Sequence, residues 1–350
     1  MVELSAVARR ATRFMERHWL RDSWLSRVLA PLAGVHGGLL ALRRAGYRRG
    51  WFASHRLPVP VVVVGNFFIG GTGKTPLVVA LVGALRRAGR SPGVISRGYG
   101  SRTVAPRRVR AGDDARAVGD EPLLIAERTE VPVWIARDRA AAGRALLAAE
   151  PAVDIIVCDD GLQHLALARD IEIAVGDARG EGNGRLLPAG PLREQPRLVD
   201  AFVCNGGVPR AGQFAMTLEP AGFYRVGGDG ALIDLSYLRR VRTVAIAGIG
   251  DPSRFFRTLA ALQVQPMRTI PFPDHHSFSL ADLDFANCDA IVMTEKDAVK
   301  CRMLGCPVPL VALRVEARFD ASFEAHILNL LQSVSFYGRA SARNPGLPYL

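Results

Sequence analysis

Val61-Val62-Val63-Val64-Gly65-Asn66-Phe67-Phe68-Ile69-Gly70-Gly71-Thr72-Gly73-Lys74-Thr75-Pro76 is the stretch whose reading decides the fold. Four β-branched residues closing on a glycine read as a strand buried on both faces of a parallel sheet. From Thr75 to about Arg90 the pattern is helical, with Pro76 tolerated in the first turn and Gly89 as a stop. A strand, a glycine loop and a helix in that order let backbone N–H groups converge on phosphate oxygens, aided by the positive end of the helix. In this phosphate-binding loop, Phe68, Ile69, Gly70, Gly71, Thr72, Gly73, Lys74 and Thr75 form the nucleotide cradle. Lys74 reaches the β- and γ-phosphates and the Thr75 hydroxyl takes Mg²⁺. One departure stands out: the usual first glycine is Phe68, and Gly70-Gly71 supply the flexibility instead.

Outward from the loop, strands are predicted at 93–96, 131–135, 154–158, 171–175, 201–204, 244–247 and 290–294, several separated by helix-length segments such as 138–149. This alternation indicates an α/β, doubly wound architecture. A glycine-rich stretch at 217–229 marks a boundary between a larger domain at 57–217 and a second at 218–315, followed by a helix and tail at 316–350. Length and a 49% apolar composition allow two full cores. Five scattered cysteines with no C-x-x-C pair argue against a disulfide framework or a zinc site and fit a reducing cytosol.

The net charge of +12 is uneven. Residues 1–56 hold eleven arginines against Glu3, Glu16 and Asp22, together with Trp19, Trp24 and Trp51. The apolar run from Leu25 to Leu42 is broken by Arg27, Pro31 and His36, which disfavours a bilayer-spanning helix and suggests one lying on a membrane surface. The plainer alternative is a helix packed on the core with an arginine-rich outer face. No cleavable signal is evident, so the chain is expected on the cytosolic side. Only three of the 45 basic residues are lysines, Lys74, Lys296 and Lys300. In such a chain a lysine marks a place where a compact ammonium is needed.

Asp154 to Asp160 reads as an apolar strand ending in two acids, the position of a Mg²⁺-binding carboxylate in phosphate-loop enzymes. Asp120-Glu121-Pro122 precedes an apolar helix and, by spacing alone, reads first as a helix cap with Pro in the first turn. Asp274-His275-His276 reads first as a turn, with a His–Asp contact across a cleft as the observation that changes this. Thr294-Glu295-Lys296-Asp297 is out of register for a guanine-reading motif and argues against GTP.

Taken together, these motifs, with Ser96-Arg97-Gly98-Tyr99, Gly161-Leu162-Gln163-His164 and Pro188 to Glu194, resemble the tetraacyldisaccharide 4′-kinases, the lipid A 4′-kinases of Gram-negative bacteria. The glycine pattern that departs from the usual loop is that family's own form. The resemblance implies ATP- and Mg²⁺-dependent phosphorylation of the 4′-hydroxyl of a tetraacylated disaccharide 1-phosphate, on the cytosolic face of the inner membrane. It implies two α/β/α domains joined by a two-stranded linker, with the basic amino end meeting the membrane. A monomer is expected, and no nucleic-acid partner, since the arginines form no recognisable RNA- or DNA-binding module. The resemblance further implies that Lys74 and Thr75 hold phosphate and Mg²⁺, with Asp159, Asp160 and Gln163 in the metal network. Asp120 is then the general base, assisted by His275 from the other domain, and Glu121, Arg193 and Glu194 fall near the cleft. A competing reading is a membrane-associated ATPase switch, but such proteins carry a lysine before the double glycine where this chain has Ile69.

Overall fold

The computed structural model describes residues 18–101, 103 and 105–336. The beginning of the basic amino-terminal segment and the tail after Phe336 lie outside the described residues. In chain order the first elements are α1 (Trp24–Val28), α2 (Ala30–Arg48), β1 (Val61–Gly65), α3 (Lys74–Arg87), β2 (Pro92–Ser96), β3 (Arg107–Val109), α4 (Ala115–Val118), α5 (Asp120–Thr129), β4 (Val133–Ile135), α6 (Arg139–Ala149), β5 (Ile155–Cys158), β6 (Ile171–Asp177) and β7 (Ala201–Asn205). There follow β8 (Gln213–Arg225), β9 (Leu232–Ile233), α7 (Leu235–Leu238), β10 (Thr243–Ala247), α8 (Pro252–Ala261), β11 (Arg268–Pro271), β12 (Ala290–Thr294), α9 (Glu295–Cys301), β13 (Leu310–Phe319) and α10 (Ala321–Phe336).

The valine run forms β1 and is buried along its whole length. Its side chains alternate between two cores because strand neighbours point to opposite faces. Val62 and Val64 join Leu77, Val78, Leu81 and Leu85 of α3, whereas Val61 and Val63 join Ala140 and Leu146 of α6. Burying each such side chain is worth about 1.5–3 kcal/mol, so a polar residue at any position of the run would be costly. The second half repeats the scheme. Ala245 and Ala247 of β10 pack with Phe255 and Leu259 of α8, while Val244 and Ile246 pack with Ala298 and Cys301 of α9.

The strands join in the order β11-β10-β12-β13-β8-β7-β6-β1-β5-β2-β4-β3, with β9 beside β8. From β7 to β4 neighbours run parallel, as they do from β11 to β13. The seam is β8, whose first residues pair parallel with β7 and whose remainder pairs antiparallel with β13. The stretch at 217–229, expected to be a glycine-rich boundary, is therefore strand as far as Arg225. Its Gly222 sits at φ 115° close to an irregularity in the β8–β13 pairing, so that glycine bends a strand and does not end one. Small adjustments occur elsewhere: α3 stops at Arg87, β4 begins at Val133 and β5 at Ile155.

Candidate active site

Parallel strands deliver polar residues to one edge. Ser96, Asn66, Asp159, Asp177 and Asn205 all lie at or just past the carboxyl ends of β2, β1, β5, β6 and β7. Ligand sites of open α/β sheets collect at that edge. The loop from Asn66 to Gly73 bends through Gly70 at φ 108° and Gly73 at φ 92°, values that favour glycine. Gly73 precedes α3 and no side chain caps that helix, so its first-turn N–H groups face the loop. Two asparagines brace the loop. Asn66 Nδ2 donates to Thr72 Oγ1 at 3.2 Å and to the Gly70 carbonyl at 3.3 Å, and Asn205 Nδ2 donates to the Thr72 carbonyl at 2.9 Å.

The second half reaches the same loop. Arg254 of α8 donates to Asn205 Oδ1 at 2.9 Å, and a Cβ built on Gly250 would stand 2.6 Å from the Gly71 nitrogen. Between them lies a cavity of about 560 Å³, lined by residues 71–75, the outer face of α3, Arg254 and Lys296. A methyl group at Gly73 would combine a strained φ with a collision against Asn205 Nδ2. Gly73→Ala is therefore expected to cost about 1–3 kcal/mol of local strain and to weaken ATP binding at least about tenfold. Calorimetric titration with ATP, alongside a thermal melt, checks this.

Beside the loop, Asp160 sits at φ 47° and is gripped by Arg193, with N···O distances of 2.9 and 3.3 Å, while Lys74 Nζ stands 3.6 Å away. Burial works to raise its pKa, but Lys74 and Arg193 together hold the carboxyl well below the usual range. Asp159 is its opposite. It is wholly buried, its Oδ2 accepts from Ser96 Oγ at 3.2 Å, and its Oδ1 has no partner. Burial, then the nearby Glu121 and Asp160, push it up to about 7. A buried carboxylate with one unpartnered oxygen would stabilise a cation beside it. Among the described residues no group of three or more His, Cys, Asp or Glu side chains forms a metal cage. Mg²⁺ suits that arrangement, since it is usually held by one or two carboxylates, water and substrate phosphates.

Across the cleft the acid at position 120 is not a cap. Gly119, at φ 93°, precedes α5, and Asp120 is its first residue, 6% exposed. Its carboxylate meets His275 Nδ1 at 3.0 and 3.2 Å. Burial alone would raise Asp120; the His275 hydrogen bond and Lys296 outweigh it and bring the acid down to about 2. For His275 burial opposes the charge, but the hydrogen bond to Asp120 raises its pKa overall. His275 itself is held at φ 57° with its ring 4.9 Å from that of Tyr99. His276 turns away, stacked on Phe272.

Gln163 is held by its amide nitrogen, which donates to Glu194 Oε1 at 2.8 Å and to the Asn66 carbonyl at 3.0 Å, while its Oε1 has no hydrogen-bond partner. Buried Glu194 is paired in turn with Arg44 of α2. That helix also donates from Arg43 to the Gln163 carbonyl at 3.1 Å, and His36 Nδ1 contacts the Leu187 carbonyl at 3.1 Å. One face of α2 is thus tied by polar contacts to the segment under the phosphate loop. The segment 188–194 is laced to the loop by backbone bonds, Ile69 N to Pro191 O and Arg193 N to Phe67 O.

The sequence profile of the tetraacyldisaccharide-1-P 4′-kinases matches residues 25–332. The chain belongs to that family. Among its relatives, the tetraacyldisaccharide 4′-kinase of Bordetella parapertussis is 48% identical over 323 residues, covering 88% of this chain and 93% of the relative. That of Dechloromonas aromatica is 50% identical over 304 residues, covering 82% and 90%. The crystal structure of LpxK from Aquifex aeolicus in complex with ATP is similar at 27% identity and a TM-score of 0.75, covering 88% of this chain and 99% of that one. As a tetraacyldisaccharide 4′-kinase family member, the chain is a phosphotransferase acting on an alcohol group, in lipid A biosynthesis.

Several residues of this candidate site were not singled out from sequence. Asn205 ends a strand and gives no spacing signal. Ser96 and Tyr99 appear only within a motif. Lys296 had one signal, the rarity of lysine, and it lies 2.9 Å from Glu121 and 3.1 Å from Asp274.

Proposed function

We propose that this chain transfers the γ-phosphoryl group of ATP to the 4′-hydroxyl of a tetraacyldisaccharide 1-phosphate, with Asp120 as proton acceptor. The observation that carries the reading is the Asp120–His275 pair, built from two halves of the chain, beside a complete phosphate loop. Loop N–H groups and Lys74 hold the triphosphate. In exchanging Asp160 for phosphate, Lys74 would leave that carboxylate to Arg193. Thr75 and Asp159 would hold Mg²⁺, which when bound supplies charge neutralisation for the phosphates. Asp120 takes the alcohol's proton late in a loose transfer, and His275 holds its carboxylate in place. Gly250 against Gly71 narrows the cleft and helps keep water from the phosphate. Incubation with Mg-ATP and a tetraacyldisaccharide 1-phosphate is expected to give a product heavier by one phosphate; its absence would overturn the assignment.

The lipid is met from the cytosolic face of the inner membrane through α1 and α2. Trp24, Val28, Leu32, Val35, Leu39 and Leu42 follow one another at three- and four-residue steps, and each is more than half exposed. They form one stripe, opposite the face that holds Glu194 and Leu187. Among the described residues no helix is long and apolar enough to cross a membrane. A stripe of this kind favours partial burial among lipid headgroups, with Arg43, Arg48 and Arg49 near anionic phosphates. Val35→Glu combined with Leu39→Glu is expected to lower binding to anionic vesicles at least about tenfold while activity on detergent-dispersed lipid changes less than about threefold. Co-sedimentation checks the first, and a micellar assay the second.

A further inference from the structure

Lys296 begins α9 as its second residue and is carried into the cleft by the second half of the chain. Its ammonium has three N–H groups, and three acceptors surround it: Glu121 Oε1 at 2.9 Å, Asp274 Oδ1 at 3.1 Å and His275 Nε2 at 3.5 Å. These come from α5 and from the loop after β11, so one nitrogen joins both sides of the cleft. An ammonium cannot accept a hydrogen bond. If Nε2 receives from Lys296, the ring proton must sit on Nδ1, which faces Asp120.

We propose that Lys296 is the positioning residue of the transfer step: it fixes His275 as the Nδ1–H tautomer, so that the imidazole donates to Asp120 and Asp120 acts as the base. This inference rests on the reading of Asp120 as proton acceptor. The chemistry suits lysine and not arginine, because three diverging donors at one atom match three acceptors, whereas a planar fork does not. It also accounts for a lysine in a chain that otherwise uses arginine. Charge adds a second effect. The groups facing His275 are Asp120 from α5, Asp274 beside it, Lys296 from α9 and Tyr99 from the loop after β2; Glu121 meets Lys296, and Lys300 is paired with Asp297. Asp120 and Asp274 favour the imidazolium, and Lys296 is the cation that opposes it. Without Lys296 the ring binds its second proton more readily, and Asp120 stays locked in an ion pair with it.

The test is the pH profile of kcat for Lys296→Met and Lys296→Arg, with the ATP Kd and a thermal melt of each, and NMR titration of the His275 ring, assigned by its loss in His275→Gln. Lys296→Met is expected to move the acid limb of kcat and the His275 titration upward together by about one pH unit, with ATP Kd within about threefold of wild type. Lys296→Arg should recover less than about a tenth of wild-type kcat. Adding Lys296→Met to His275→Gln should cost less than about threefold more. An unmoved limb with an unmoved His275 titration overturns the proposal, as does an ATP Kd weakened tenfold or more, which would make Lys296 a nucleotide ligand. If Lys296→Met does not fold, the same titration in Lys296→Gln decides. Full activity in Asp120→Asn would instead remove the underlying base; an inactive Asp120→Asn with an unshifted limb in Lys296→Met removes only the role of Lys296.

Discussion

Lys74→Met is expected to lower kcat by about 10²–10³-fold, the usual cost of removing one preorganised charge from a phosphoryl-transfer site. Methionine keeps an unbranched stem of similar length at the start of α3, so the loss isolates the ammonium. Asp160 keeps its bidentate Arg193, which stabilises the local structure without the lysine. Because the loop's N–H groups remain, ATP affinity should fall far less than turnover. Single-turnover measurement with labelled ATP and dispersed lipid separates the two. Retention of more than about a tenth of wild-type kcat would show that the loop and Arg193 alone supply the needed charge. Lys74→Arg should not rescue, since the residue opens a helix beside Gly73 and Asp160, where a compact charge fits and a fork does not.

Asp120→Asn is expected to cost about 10²–10⁴-fold in kcat, the range for loss of a positioned general base. The pH dependence gives a sharper test. His275 is raised above its ordinary 6.5, so the working dyad, with the ring neutral, fills as pH rises through a value higher than that. Wild-type kcat should therefore have an acid limb above pH 6.5. Removing the Asp120 carboxylate removes the main group holding a proton on His275, so any residual activity should show that limb at lower pH. A limb that stays in place would show that another group controls it. Stability follows the same linkage: the Asp120 contribution is present above its ordinary 3.8 and is lost as pH falls through about 2. The His275 contribution is complete below 6.5 and is lost as pH rises through its raised value.

The strand-loop-helix unit of the candidate site was legible because it is local. Four valines, the glycine loop and the helix that follows lie within one segment, so sequence spacing and spatial spacing coincide. Asp159 and Asp160 were readable for a similar reason, being the end of the strand next to β1. Sequence did not distinguish them, because their difference comes from distant residues: Arg193 and Lys74 around one, Ser96 and a closed pocket around the other. The partnership of Asp120 with His275 was reached through resemblance only, since 155 positions separate them. Residues 217–229, read as a boundary, fall largely on β8, the seam where parallel pairing with β7 gives way to antiparallel pairing with β13; spacing did not show that the stretch is strand. A long antiparallel pair tolerates glycine where it bends, and β8 bends at Gly222. Resemblance places Gln163 in the metal network; its amide nitrogen is held by Glu194 and Asn66, which leaves Oε1, the atom able to meet a cation, without a hydrogen-bond partner.

The scarcity of lysine turns the cleft into the chemically distinctive part of the surface. Three side-chain amines exist in 350 residues, two of them line the cavity, and the third is ion-paired with Asp297. A reagent that acylates amines finds no crowd of exposed competitors here, as it would on most basic proteins. Acylation needs the neutral amine, so labelling of Lys74 and Lys296 would report the loosening of their ion pairs with Asp160, Glu121 and Asp274 as well as access to the cleft.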